Sequence, residues 1–172
     1  MIPLHPSVVH FPVALLIAAG ICYVAHLFVK QYRLDVVGFF LHAGGLLGCV
    51  AAILTGDYTE SNIVQNEQIH SLAERHEQMG MIATYAFGIL GVWAYLRQQS
   101  NIFAERIVFT VVFVGVIGLL GYGSHLGGRM VYEEGAGVIP MQPIIEQQRD
   151  ASSPTDATLN NLPNGYDNDE NE

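Results

Sequence analysis

The sequence predicts an all-α membrane protein: a four-helix up-down bundle that spans the bilayer, followed by a disordered acidic tail. Three observations carry this. Of 172 residues, 51% are hydrophobic and only 13% are charged, about half the charged share of a soluble domain. The apolar residues gather in four runs of roughly 18–20 residues, the length that crosses a hydrocarbon core about 30 Å thick. None of the four contains Asp, Glu, Lys or Arg, where a soluble helix of that length would show a charged face.

Each element follows in order. The first run predicts a helix over 11–29. It has no basic segment before it and is longer than the apolar stretch of a signal peptide, so it reads as a span. The second predicts a helix over 36–55. The third is apolar over 79–96, but Ile69, Leu72, His76, Met79 and Ala83 recur every three or four residues before and into it. That period extends the third helix back to about 70, projecting beyond the membrane surface. The fourth run, about 107–126, predicts a helix over 105–126, and Gly127-Gly128 reads as its stop. Residues 1–146 form one transmembrane domain. From Gln147 to Glu172 the chain is rich in Asn, Asp, Ser, Pro and Thr. It has too little apolar surface to offset the entropy of ordering, so a disordered tail is expected.

Charge sets the orientation. The formal net charge of -9 is concentrated in that tail, through Asp150, Asp156, Asp167, Asp169, Glu170 and Glu172. No basic patch exists, which argues against nucleic acid as a partner. The first connection carries Lys30 and Arg33, and the third is bounded by Arg97 and Arg106. The second, 56–78, holds Asp57, Glu60, Glu67, Glu74 and Glu77 against Arg75 alone. The positive-inside rule places the basic connections in the cytoplasm. Both termini and the second connection then face the outer side of a bacterial inner membrane.

Histidine is the informative residue type. There are seven, and ionisable groups at membrane depth are costly and often functional. His10, His76 and His125 all fall at the outer ends of their helices and form one layer, which His5 and His70 can approach. His42 lies roughly 20 Å below the outer end of the second helix, from a rise of about 1.5 Å per residue, and His26 lies at a similar depth. His10 and His26 are sixteen residues apart, near opposite faces of one helix, so only one of them points into the bundle. Two imidazoles facing each other across an apolar helical slot are the protein's share of a b-type haem. His10 and His76 are the expected axial ligands, with His125 as the competing second ligand. His26 and His42 would be the pair for a second, inner haem, although His42 reads more simply as bonded to a backbone carbonyl. Arg129 is placed to pair with a haem propionate. The same three outer histidines could instead hold copper or zinc. Small residues near each imidazole, as in Gly44-x-x-x-Gly48, leave room for a flat cofactor or let helices pack closely.

Other chemistry is excluded by its missing motifs. There is no C-x-x-C-H for covalent haem, and Cys22 and Cys49 sit in apolar runs as packing residues. There is no G-x-S-x-G, no P-loop and no H-E-x-x-H. The chain therefore reads as an electron-transfer or structural subunit rather than a stand-alone enzyme.

His5-Pro6 followed by Val9-His10-Phe11-Pro12-Val13-Ala14-Leu15 resembles the opening of a bacterial family of predicted four-helix membrane proteins of unknown function. His76-Glu77-Gln78-Met79-Gly80 is similar to that family's entry to the third helix. His125-Leu126-Gly127-Gly128-Arg129-Met130-Val131-Tyr132 resembles its closing motif. Glu134 and Ala136 depart from the pattern, which would read closer to a histidine followed by Gly-Val-Gly-Val. The resemblance covers about 4–138 and falls on the outer histidines His5, His10, His76 and His125. It also extends to the membrane region of certain cytochrome-c-associated proteins, which implies a redox or respiratory setting.

The expected function is a membrane-embedded b-type haem protein or subunit. It would pass electrons between the quinone pool and an outward carrier such as a cytochrome c, with membrane lipid and other complex subunits as further partners. The alternatives are a cofactor-free scaffold subunit of a larger respiratory or photosynthetic complex and an outer-face copper or zinc protein.

Overall fold

The computed structural model describes residues 4–29, 32–60, 66–97 and 102–152. Four long helices carry the fold: α1 (Leu4–Phe28), α2 (Leu34–Glu60), α3 (Glu67–Leu96) and α4 (Phe103–Tyr132). A 3-10 turn at Ile139–Met141 leads into a short α5 (Gln142–Ser152). Each of the four long helices is long and apolar enough to cross a membrane.

The helices run further than the apolar runs. α1 begins at Leu4 because Pro6 sits in its first turn, where a missing N–H costs nothing. α3 begins after Asn66, whose side-chain oxygen accepts the Ile69 N–H at 2.8 Å and satisfies one orphan donor of the first turn. α4 does not stop at Gly127-Gly128 but continues to Tyr132. The chain turns instead at Gly135 and Gly137, both at positive φ (69° and 73°), a conformation glycine adopts without a side-chain clash.

Buried positions repeat at alternating three- and four-residue steps. On α1 they are Pro12, Leu16, Ala19, Tyr23 and His26; on α2, Gly38, His42, Gly45 and Cys49; on α3, Ala83, Phe87, Leu90 and Ala94. This is the seam of helices crossing at a shallow angle. α1 packs most extensively on α2, and α3 on α4, while α2–α3 and α1–α4 close the ring. α1 and α3 therefore stand diagonally, as an up-down bundle requires.

The half that carries the start of α1 and the end of α4, called outer after the expected orientation, differs from the other, called inner. The inner half is filled with rings: Phe109 stacks on Phe113 at 5.9 Å, and Tyr23 and Phe87 meet Phe113 edge-on at 5.0 and 5.3 Å. The outer half holds His5 and His76, with Gly56 and Gly127 against their rings. Outward-facing side chains on the spans are large and apolar, among them Phe40, Leu47, Ile89 and Val111. Exposed tyrosines stand at both ends, Tyr32 and Tyr95 at the inner end and Tyr58 and Tyr132 at the outer, where amphipathic rings meet lipid headgroups.

The outer end carries a cap. Buried Ile145 of α5 packs with Ile69 of α3, Ala136 and Met130. Residues 147–152, expected as the start of the tail, instead complete this amphipathic helix. Residues 153–172, with Asp156, Asp167, Asp169, Glu170 and Glu172, lie outside the described residues.

Candidate functional site

The outer half of the bundle brings His5 of α1 and His76 of α3 together, with ring centroids 6.2 Å apart and planes at 85°. Counting back along the buried stripe of α1 from Pro12 by seven residues lands on His5. Counting by five more from His5 lands on His10, which is rotated to the other side and exposed. His76 continues the stripe of Ile69 and Ala73, so its ring leans into the bundle.

Both rings are held through the same nitrogen. His76 Nδ1 lies 2.8 Å from the Gly123 carbonyl of α4. A carbonyl only accepts, so Nδ1 carries the proton and Nε2 presents a lone pair. His5 Nδ1 lies 3.2 Å from Thr55 Oγ1 of α2. The Thr55 hydroxyl is within reach of the Ala51 and Ala52 carbonyls at 2.9 and 3.1 Å. With its single proton on one of these carbonyls, the Thr55 oxygen accepts and His5 Nδ1 donates. The second imidazole then also presents Nε2 as a lone pair. Two acceptor nitrogens cannot hydrogen-bond each other. Anchoring the remote N–H on a neutral acceptor is how ligating histidines are oriented.

Glycines make this placement possible. A Cβ on Gly127 would stand 3.1 Å from His76 Cε1, and one on Gly56 would stand 3.3 Å from His5 Cε1. Gly127 is thus a close-approach residue inside α4 rather than a helix stop. One turn below His76, Gly80 faces open space within 4 Å.

The remaining expected residues fall elsewhere. His125 and His70 are exposed, as His10 is, so the outer histidines do not converge as a set of three. Among the described residues no three His, Cys, Asp or Glu side chains gather as a metal shell would require. Arg129 is engaged by Glu133 one turn on, at 2.8 Å. His42 is fully buried, its Nε2 donating to the Phe87 carbonyl at 3.0 Å, with Tyr23, Phe87 and Phe113 packed around its ring at 4.9–6.5 Å. His26 is buried and turns to Asp35, 3.8 Å away. Separate partners therefore hold His26 and His42. Cys22 and Cys49 are free thiols.

At the inner end, Arg97 lies just past α3 with its guanidinium 3.8 Å over the Phe109 ring. Burial draws it below its ordinary value, while Tyr23 and Glu105 act in the opposite direction. Glu105 also accepts the Trp93 indole N–H at 3.1 Å.

A model of the family described as predicted membrane protein (DUF2231) matches residues 1–140. No curated protein and no solved structure matches the chain.

Proposed function

The chain belongs to this family of predicted membrane proteins, and from that premise we propose that it is a b-type haem protein whose iron is held by His5 and His76. The observation that carries the reading is the pair of imidazoles on diagonal helices, each anchored through Nδ1 with Nε2 left as a lone pair. His5 and His76, whose ring centroids lie 6.2 Å apart, would be the two residues that hold the iron.

The donor count favours haem over bare zinc or copper. A porphyrin brings four nitrogens and asks the protein for two, whereas a protein-only zinc site asks for three or four. Gly56 and Gly127 let the two imidazoles seat closely against α2 and α4. When bound, the group supplies reversible one-electron transfer. The chain's own residues orient the two imidazoles, and α5 and the turn before it cover the outer end. We place the site on the outer side of a bacterial inner membrane, from the basic residues Arg33, Arg97 and Arg106 at the opposite end. There it would exchange electrons between the quinone pool and an outward carrier such as a cytochrome c.

A second reading is a subunit of a larger membrane complex. It is favoured by Gly115, Gly118 and Gly121 of α4, each of which faces open space within 4 Å on a face where another helix could pack closely. The two readings are compatible. The test is an absorption spectrum of protein purified from its native membrane, with haem counted per chain and metals assayed in parallel. A low-spin b-haem spectrum at about one haem per chain supports the proposal. A flat spectrum with stoichiometric copper would move the site to metal handling, and a flat spectrum without metal would leave the subunit reading.

A further inference from the structure

A groove of about 330 Å³ runs between α2 and α3, lined by Phe39, His42 and Leu46 from the first and by Gly88, Gly91 and Tyr95 from the second. Nothing lies within 4 Å of where a Cβ on Gly88 would stand, and one on Gly91 would stand 3.7 Å from His42 Cε1. Tyr95 is exposed, so the groove opens to the bilayer. His42 itself is 1% exposed. Its Nε2 donates to the Phe87 carbonyl at 3.0 Å, so Nδ1 of the neutral ring keeps a lone pair. That nitrogen is buried with no hydrogen-bond partner among the described residues. It is bonded to Cε1, the ring carbon that stands against Gly91.

We propose that this groove seats the ring of a membrane-dissolved hydroquinone, one of whose hydroxyls donates to His42 Nδ1. The proposal rests on the quinone-pool reading for its ligand and names where the reduced form binds; it does not require haem on His5 and His76. The waiting polar group is an acceptor, so the ligand must bring a donor. A buried water needs two to four polar partners, and the groove offers it one nitrogen among apolar side chains. A hydroquinone hydroxyl is satisfied by that one acceptor, while its ring is buried against Phe39, Leu46 and the bare backbone of two glycines, the mostly apolar lining with one placed polar group that small-molecule sites share. A phospholipid headgroup does not reach the nitrogen, since His42 is the ninth residue of α2, roughly 12 Å from its inner end. An acyl chain fits the groove but brings no donor. The oxidised quinone carries carbonyls in place of hydroxyls, and two acceptors do not hydrogen-bond, so the groove selects the reduced form.

The test is solid-state NMR of the full chain, labelled with nitrogen-15 histidine, in anaerobic lipid nanodiscs that carry a decyl-substituted hydroquinone, its dimethyl ether or the matching quinone. The hydroquinone should move one unprotonated imidazole nitrogen signal to lower frequency, as accepting a hydrogen bond does, and the ether and the quinone should leave it in place. His42→Leu should remove that signal. Gly88→Leu should keep the signal and abolish the shift, because its side chain has room to fill the groove without displacing a neighbour. The comparison of ligands is read on the unaltered chain, so it stands even if a variant fails to fold. A signal that the hydroquinone does not move, or that the ether moves equally, would overturn the proposal. So would a shift that survives Gly88→Leu, or a His42 signal already at its hydrogen-bonded position without ligand, which would mean an internal water. A hydroquinone shift in a chain without haem supports this site and removes only the haem reading; a haem spectrum in a chain without the shift does the reverse.

Discussion

Replacing Gly45 by alanine should destabilise the bundle, because α1 and α2 approach most tightly there. A Cβ at Gly45 would stand 2.6 Å from Leu16 Cγ and 2.8 Å from Leu16 Cδ2, with the Leu16 backbone nitrogen at 3.4 Å. Ordinary carbon contact begins near the last of these distances, so something must move by about 0.8 Å. Leu16 has 0% exposure and no free space to swing into. The helices must part or Leu16 must leave its rotamer, and overpacking of this kind costs about 1–3 kcal/mol. Alanine's better helix propensity returns up to about 1 kcal/mol, leaving a net loss of about 1–2 kcal/mol. The assay is equilibrium unfolding in mixed micelles, followed by circular dichroism, for Gly45→Ala, Leu16→Ala and the double variant. Leu16→Ala alone should cost about 2–5 kcal/mol through its cavity. The double variant should be less destabilised than the sum, because the new methyl group partly fills that cavity. Gly118→Ala is the control, since nothing lies within 4 Å of that position. Strict additivity, or a Gly45→Ala protein as stable as the parent, would refute the tight α1–α2 contact.

Further outcomes follow from the same contacts. Gly127→Ala should push the His76 ring by a few tenths of an ångström and weaken its 2.8 Å bond to the Gly123 carbonyl. About 1 kcal/mol of stability should go with it, together with part of the haem content, both measurable on one preparation. Phe113→Ala should cost about 3–5 kcal/mol in the unfolding assay, because its fully buried ring touches those of Tyr23, His42, Phe87 and Phe109. His42→Leu should cost less, within about 1.5 kcal/mol, and should leave any haem spectrum unchanged; loss of a haem band would restore an inner site. Arg129→Ala should leave haem content unaltered, because its partner is Glu133 rather than a cofactor.

Much of the architecture is legible in composition and period. Four charge-free runs fix four spans, and the three–four spacing of Ile69, Leu72 and His76 carries the third helix past the membrane surface. The site is legible only in part. The opposition of His10 and His26 on α1 is visible in their spacing, and the structure resolves it with His26 inward and His10 outward. Choosing His10 followed from starting α1 at its apolar run. His5-Pro6 is polar and proline-bearing, which hides about two further turns' worth of register from hydropathy. The signal was present in the seven-residue step from Pro12 to His5. Gly127 reads as a stop because glycine after an apolar run often is one, and only the facing His76 ring reveals its packing role. Arg129 had its partner in view, four residues on at Glu133. The placement of Arg97 over the Tyr23 and Phe109 rings is not legible, because it joins helices whose relative rotation no local pattern sets.

The most direct test of the central claim is the reduced-minus-oxidised spectrum of four variants purified side by side: His5→Ala, His76→Ala, His10→Ala and His125→Ala. The account predicts that the low-spin b-haem band is lost in the first two and kept in the last two. A band that survives His5→Ala but is lost in His10→Ala or His125→Ala would contradict it, as would the absence of haem from the unaltered protein.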